Sequence, residues 1–485
     1  MKLQEIIKEM EAVEITGSAA LEVSGISFDS RKVAPGDLFV AIRGGGFDGH
    51  DFIPLAIAGG AVAVVSEQEP LEGYPGIIWL KSSNTREALA LLASAFFGHP
   101  SRDLHLVGIT GTNGKTTIAT LLHRIHSDLG FMAGLISTIR VLIGEEEFPA
   151  THTTPDPVQL NAYLRKMVEL GCGYCFMEVS SHAIDQDRIC GLHYHGGIFT
   201  NLTRDHLDYH KDFKTYLGVK KRFFDQLPAG AYALVNGDDK NGQVMLQNCR
   251  AEKHTFSLRS GGEFRGRVRE MLMEGSFLEI NGKEVWVKLP GRFNASNLLC
   301  TYSAAVLSGQ DPDDVLAELS RVEPVKGRFQ TIHSERGVTG VVDYAHTPDA
   351  LSNVLETIRE VNVSGGEVIT VVGAGGNRDR GKRPMMARIA ADASHKVILT
   401  SDNPRNEDPE SILDDMMEGV PASARERVLR IVNREEAIRT ACMLARAGDI
   451  ILVAGKGHED YQVIGNKKMP FDDMLILQQN LTRTE

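Results

Sequence analysis

The stretch that most restricts how this chain can fold is GITGTNGKTT, Gly108–Thr117, preceded by LHLV and followed by IATLLHRIHSDLG. The apolar run 104–110 reads as a buried strand, and the apolar spacing after Thr117 reads as a helix. A Gly-rich turn joins them. Such a junction aims backbone N–H groups and a positive helix end at one point, which cradles an anion. Lys115 is placed to reach terminal phosphates, and the Thr116 hydroxyl to bind Mg²⁺. The general P-loop pattern wants a glycine five residues before Gly114, where Ile109 stands, so the motif is G-x-x-G-K-T from Gly111. The plain alternative is a tight strand–helix turn; the strand, the glycines and Lys-Thr together favour a nucleotide.

The rest of the chain is α/β in pattern. Its 485 residues suggest about three domains at roughly 150 residues each. The first boundary falls near Pro100, where the helix-patterned TREALALLASAFFGH ends. Before it, GDLFVAI and AVAVVS read as short strands around the glycine-rich loop RGGGFDGHDF. After the P-loop come strands YCFMEV, GGIFTN and YALVN. From about residue 332, strands GVVDYA, EVITVVGAG, KVILTSD and DIILVAGKG alternate with helical stretches, the pattern of a parallel sheet with crossover helices. Each of these strands runs into a polar cluster: DYAHTPD, GGNRDRGKR, SDNPRNEDP, GKGHEDY. Ligands of open parallel sheets bind beyond the carboxyl ends of the strands, so four such clusters predict one site.

A net charge of -12 excludes general nucleic-acid binding, which needs a basic face. No apolar run approaches bilayer length. The charged start, MKLQEIIKEMEAVEI, has no signal-peptide core. Cys172 and Cys175 form the one C-x-x-C pair; zinc would want a second pair, so buried thiols in a reduced, cytosolic protein are expected.

Three further motifs suggest chemistry. Glu178 in FMEVSSH lies near the end of a buried strand, where a carboxylate is costly unless paired or on a metal. His206 and His210 in TNLTRDHLDYH are four apart, a metal pair on a helix face or a capping network. GAGGNR, 373–378, has Arg378 where a dinucleotide fingerprint wants its third glycine, and Arg378 reads instead as a second cation near Arg405.

In order, GTNGKT, MEVSSH, TNLTRDHLDYH, GRFNASN, GRF, DYAHTPD, DNPR and AGKGHEDY resemble the motifs of the Mur ligases over nearly the whole chain. That family forms amide bonds with ATP in peptidoglycan precursor synthesis. The resemblance implies a bacterial cytoplasmic monomer of three α/β domains. These are a small UDP-sugar-binding domain, 1–101; a central ATP-binding domain with a P-loop and a parallel or mixed sheet, 102–331; and a Rossmann-like parallel-sheet domain for the amino acid, 332–485. It also implies residue roles. Gly111–Thr117 (Gly111, Thr112, Asn113, Gly114, Lys115, Thr116, Thr117) match the nucleotide loop. Asn297, Arg328, Asp343 and His346 match positions near the nucleotide, and Thr116, Glu178 and His206 match the Mg²⁺ site. Lys220, in YLGVKKRFF, stands where the family carries a lysine carbamylated by CO₂, an anion able to hold a second Mg²⁺. A surface lysine is the bland alternative there, and Lys221 is the competing candidate. Ser30, Thr153, Thr154, Ser180, Gln186 and Arg188 match contacts to UDP-N-acetylmuramoyl dipeptide. Gly45 and His152 depart from the usual residues of that site.

Arg378, Asp402, Asn403, Pro404, Arg405, Gly455 and Glu459 match the contacts of members that add meso-diaminopimelate. That amino acid differs from lysine by a second carboxylate, which an arginine holds through a bond of about 1.5–3 kcal/mol. Against lysine the same arginine would face an ammonium. The bland reading of Arg405 is a local ion pair with Glu407 or Asp408. Alternatives for the whole chain are a lysine-adding Mur ligase, a folylpolyglutamate synthetase, and a P-loop switch without ligase activity.

Overall fold

The computed structural model describes residues 1–10, 14–44, 46–259 and 261–482. Gly45, one of the two departures noted above, lies outside them. The described residues form a mixed α/β molecule on three large sheets and one hairpin.

The first sheet has five strands, with Glu14–Thr16 antiparallel to Ile78–Lys81 at one edge and the rest parallel. The helix Thr85–Phe96 packs on it, capped by Asn84, whose side chain accepts from the N–H groups of Arg86 and Glu87.

The P-loop strand, His105–Thr110, is central to an eleven-stranded sheet, between Tyr174–Glu178 and Gly196–Phe199, both parallel to it. Its side chains alternate between two cores. Val107 and Ile109 face Ile118, Leu121 and Leu122 of the following helix. Leu106 faces the opposite layer, with Met177, Phe199 and Phe223. Burial on both faces explains why this strand reads as a continuous apolar run. The sheet is parallel in its middle and antiparallel at both margins. Arg140–Ile143 and Glu146–Pro149 extend one side, and the meander Phe264–Leu272, Gly275–Ile280, Lys283–Val287 extends the other.

The third sheet is parallel apart from one edge. Val368–Ala374 lies between Lys396–Ser401 and Ile450–Ala454, with Thr339–Asp343 and Val428–Arg430 further out. Gln330–His333 pairs antiparallel with Thr339–Asp343, a refinement of the all-parallel expectation that a short turn permits only at an edge. From Val368–Ala374 the chain proceeds to one side, and Ile450–Ala454 returns on the other. That strand is therefore a topological switch point, with its carboxyl end open as a crevice. The hairpin Tyr461–Ile464 with Lys467–Pro470 packs beside this end through the backbone of Arg405.

Candidate functional site

The P-loop of the central sheet faces the carboxyl edge of the third sheet across a polar cavity of about 230 Å³. Gly114 has φ 88°, and a Cβ there would meet the Asn297 side-chain oxygen at 2.5 Å. Only glycine fits this left-handed N-cap so close to a neighbour. Asn297 lies in the second turn of the helix Arg292–Leu307, which begins five residues earlier. Lys115 Nζ donates to the carbonyls of Gly111 (3.0 Å) and Thr112 (2.9 Å), folded back on its own loop.

Glu178 is fully buried and carries no ion pair among the described residues. Its oxygens accept from the Thr138 N–H (2.8 Å) and hydroxyl (3.2 Å). A buried carboxylate held by neutral donors beside a phosphate cradle suits a divalent cation. His206 adopts φ 55°, and burial pushes its imidazole down to about 3, so it is a neutral nitrogen donor. No three acidic, His or Cys side chains among the described residues gather closely enough to cage an ion. Mg²⁺ generally binds through one or two protein groups plus phosphate oxygens, and Thr116, Glu178 and His206 fit that kind of site.

The His206/His210 pair does not form one face. The helix is only Leu207–His210, and the His210 ring lies 2.9 Å from the Ser181 hydroxyl while His206 lines the cavity. His206 is the left-handed N-cap of that turn, outside its helical residues, so the two rings take different partners.

Lys220 is no surface residue: it is 1% exposed, on the helix Phe213–Asp225. Its Nζ donates to the Gly111 carbonyl (3.0 Å) and the Thr110 hydroxyl (3.3 Å). Burial, reinforced by neighbouring Lys115, drives its ammonium well below the ordinary lysine range. Lys221, one step round the helix, pairs with Asp225 instead.

A second cavity of about 420 Å³ adjoins the first across the P-loop and includes Thr117, Asn297, Arg328 and Asp343. Arg328 donates to the Thr116 hydroxyl (3.1 Å) and stacks 4.6 Å above the Tyr344 ring. Burial raises the Asp343 carboxyl to about 6, against the pull of Arg328, and it accepts from the Phe329 N–H at 2.7 Å. His346 lies instead in the first cavity.

The third cavity, about 760 Å³, lies between the first sheet and the central one. Ser30, His152, Gln186 and Arg188 line it; Arg188 donates to Gln186 Oε1 (2.7 Å) and the Thr154 carbonyl (2.9 Å). Thr153 and Ser180 line the first cavity. Thr154 is fully buried, its hydroxyl donating to the Glu178 carbonyl at 2.7 Å.

At the switch point, Arg378, Asp402, Asn403, Arg405, Gly455 and Glu459 all reach the first cavity. Gly455 has φ 119°, and a Cβ would meet Asp402 Oδ2 at 2.7 Å. Arg405 makes neither expected local ion pair. Glu407 is taken by Arg383 (2.9 Å), and Asp408 caps the helix Pro409–Met417. Arg405 instead donates to the Gly376 carbonyl (2.7 Å), while its own N–H and carbonyl bond to Val463 (3.0 Å) and Gly465 (2.7 Å). The flanking Pro404 is buried.

Residue reasoning missed Lys456, 0% exposed, which donates to Glu459 Oε2 (2.7 Å) and Asn403 Oδ1 (3.1 Å). It also missed Arg383 and Arg434, both buried. Only their positions beside strand ends, in GKRP and NREE, could have pointed to them.

The chain matches the sequence profiles of the Mur ligase family catalytic domain over 22–97, the Mur ligase middle domain over 109–305 and the Mur ligase glutamate ligase domain over 327–457. It is 56% identical over 475 residues to the UDP-N-acetylmuramoyl-L-alanyl-D-glutamate–2,6-diaminopimelate ligase of Parabacteroides distasonis, covering 98% of this chain and 97% of the relative. Against the enzyme of that name from Bacteroides thetaiotaomicron it is 53% identical over 479 residues, 99% of each. A solved structure of a ligase of that name superposes with TM-score 0.69 at 32% identity, over 99% of this chain and 98% of that one. A Thermotoga maritima MurF ligase in complex with ADP shares the fold at TM-score 0.64 and 18% identity, over 94% and 97%. The chain belongs to the Mur ligase family.

Proposed function

We propose that this chain is the ATP-dependent ligase that joins meso-2,6-diaminopimelate to the D-glutamate side-chain carboxylate of UDP-N-acetylmuramoyl-L-alanyl-D-glutamate. The observation that carries this reading is the cavity in which a P-loop and a diaminopimelate-type cluster around Arg405 share one space. Cytosolic location and a monomeric state go with the reading, as does a division at 1–101, 102–331 and 332–485.

In this reading the 420 Å³ cavity takes the adenosine, and the P-loop residues Gly111–Thr117 take the phosphates. The 760 Å³ cavity takes the UDP-sugar through Ser30, Gln186 and Arg188, and Thr153 and Ser180 meet the peptide arm. Thr154 acts by holding the Glu178 strand end. Thr116, Glu178 and His206 would hold Mg²⁺, and Lys220, as a carbamate, would hold a second; ions bound there would neutralise phosphate charge. A carboxylate oxygen of D-glutamate attacks the γ-phosphorus, and the bridging P–O bond breaks with its electron pair leaving on ADP. The incoming amine then attacks the acyl carbon, phosphate leaves with the C–O electron pair, and the proton lost from nitrogen departs with the phosphate. Such chemistry depends on positioning and charge neutralisation. Arg405 and Arg378 take the far carboxylate of the amino acid. Glu459 takes the ammonium beside it, although Lys456 and Asn403 already bond its Oε2.

The test is product formation with meso-diaminopimelate against L-lysine, for wild type and Arg405→Ala. Strong preference for diaminopimelate, lost in the variant, is expected. Equal rates with both amino acids in the wild type would refute the specificity, and phosphate release from ATP alone would refute the ligase.

A further inference from the structure

One buried cation in the phosphate cavity has no task in the reaction as described. Lys382 opens the helix Lys382–Ala393 of the third sheet, and 8% of its side chain is exposed. Its nearest acid, Asp205 Oδ1 of the central part, is 4.0 Å away, beyond hydrogen-bond range. The ammonium makes no hydrogen bond among the described residues, yet it lines the same cavity as Lys115, Glu178 and His206. Burying an ammonium is costly unless an anion meets it. A transferring phosphoryl group is the anion this reaction supplies.

The approach of the two segments is built. Asp379 Oδ1 accepts from the Gly381 N–H at 2.9 Å, and Asp379 Oδ2 pairs with Arg204 at 3.4 Å. A Cβ at Gly381 would meet the Arg204 guanidinium at 2.5 Å. Asp205, next in sequence, turns back to its neighbour His206, accepting its N–H at 2.9 Å. The loop that carries Lys382 also carries Arg378 and, through the Gly376 carbonyl, holds Arg405. Arg378, Arg405 and Lys382 are therefore positioned by one continuous segment.

We propose that Lys382 is a catalytic residue whose ammonium contacts the phosphoryl oxygens as the group passes from ATP to the acyl phosphate and leaves as phosphate. It donates hydrogen bonds and transfers no proton. This rests on the ligase reading above.

The test uses the full chain. Wild-type product formation is read first; its absence defeats the ligase reading itself. Given wild-type turnover, Lys382→Met is expected to lower kcat by on the order of a hundred-fold, as for loss of one transition-state donor. The KM values for ATP, the UDP-dipeptide and diaminopimelate should stay within about threefold, since the contact forms with charge transfer. Lys382→Arg should restore most of the loss. Lys382→Gln, close to lysine in length, replaces the Met variant if that fails to fold. A kcat near wild type, or a loss confined to one KM, overturns the proposal. A fall in thermal midpoint with all three KM values raised would also overturn it, making Lys382 a structural partner of Asp205.

Discussion

Lys220 and Lys221 differ by one step of a helix and by nearly everything else. Lys220 lies under the P-loop with its ammonium disfavoured by burial, whereas Lys221 is partly buried and paired with Asp225. A neutral amine is the form that reacts with CO₂, so the site suits a carbamate. The peptide containing Lys220 should carry the added mass of CO₂. Lys220→Ala should lower turnover by about 10²–10³-fold, the range for losing one electrostatic stabiliser. An unmodified peptide together with an undiminished Ala variant would sink the idea. Gly114→Ala is a sharper steric test. Its Cβ would meet Asn297 at 2.5 Å in a left-handed conformation, so ATP affinity should fall while the UDP-dipeptide affinity holds. Isothermal titration with each ligand decides it. Lys115 and Gly114 were legible because a P-loop is a local pattern. The burial of Lys220 was not, since nothing in KK says which lysine turns inward.

At the scale of elements, Arg383 joins the two loops that frame the Arg405 end of the first cavity. It donates to Glu407 (2.9 Å), to Asp415 (2.8 Å) and to the Gly375 carbonyl (3.1 Å). That fork explains why Arg405 stands free of Glu407. Arg383→Met should cost about 1–3 kcal/mol, less than a fully buried pair because both acids are about a quarter exposed. It should raise the KM for diaminopimelate far more than that for ATP; equal rises in both would place the effect elsewhere. Arg434 works similarly, tying the Ser401 and Ala454 strand ends to Asp473 of the helix Asp473–Thr482. The alternating strands and helices from residue 332 were plain from their periods. The antiparallel margins of the central sheet were not, since short half-exposed strands such as Glu146–Pro149 carry little apolar signal.

The molecule as a whole carries a store of acid sensitivity. Burial lowers His105, His123 and His126 to about 4, below the ordinary 6.5. Above pH 6.5 these groups are neutral folded or unfolded and contribute no pH dependence. Below it the unfolded chain takes up protons that the folded chain refuses. Stability therefore falls from about pH 6.5 to about 4, by at most about 1.4 kcal/mol per pH unit for each histidine. Thermal midpoints recorded from pH 7.5 to 4.5 should stay level above 6.5 and then decline; a level profile down to 5 would contradict this. His105 and His195 stack at 4.7 Å, so protonating both would add charge repulsion to desolvation.

The α/β class, the P-loop, the strand-end clusters and the family were present in the sequence, because each is a matter of residue type at fixed local spacing. Which side chains meet is not local. Arg328 reaches Thr116 across 212 positions, and Asn113 reaches Asp349 across 236. The folded molecule alone decided that Arg405 makes no ion pair with Glu407 or Asp408, that Lys220 is buried beneath the P-loop and that Lys382 faces the same cavity. Each follows from which helices and strand ends the tertiary fold brings together, which sets burial and charge separation regardless of sequence distance.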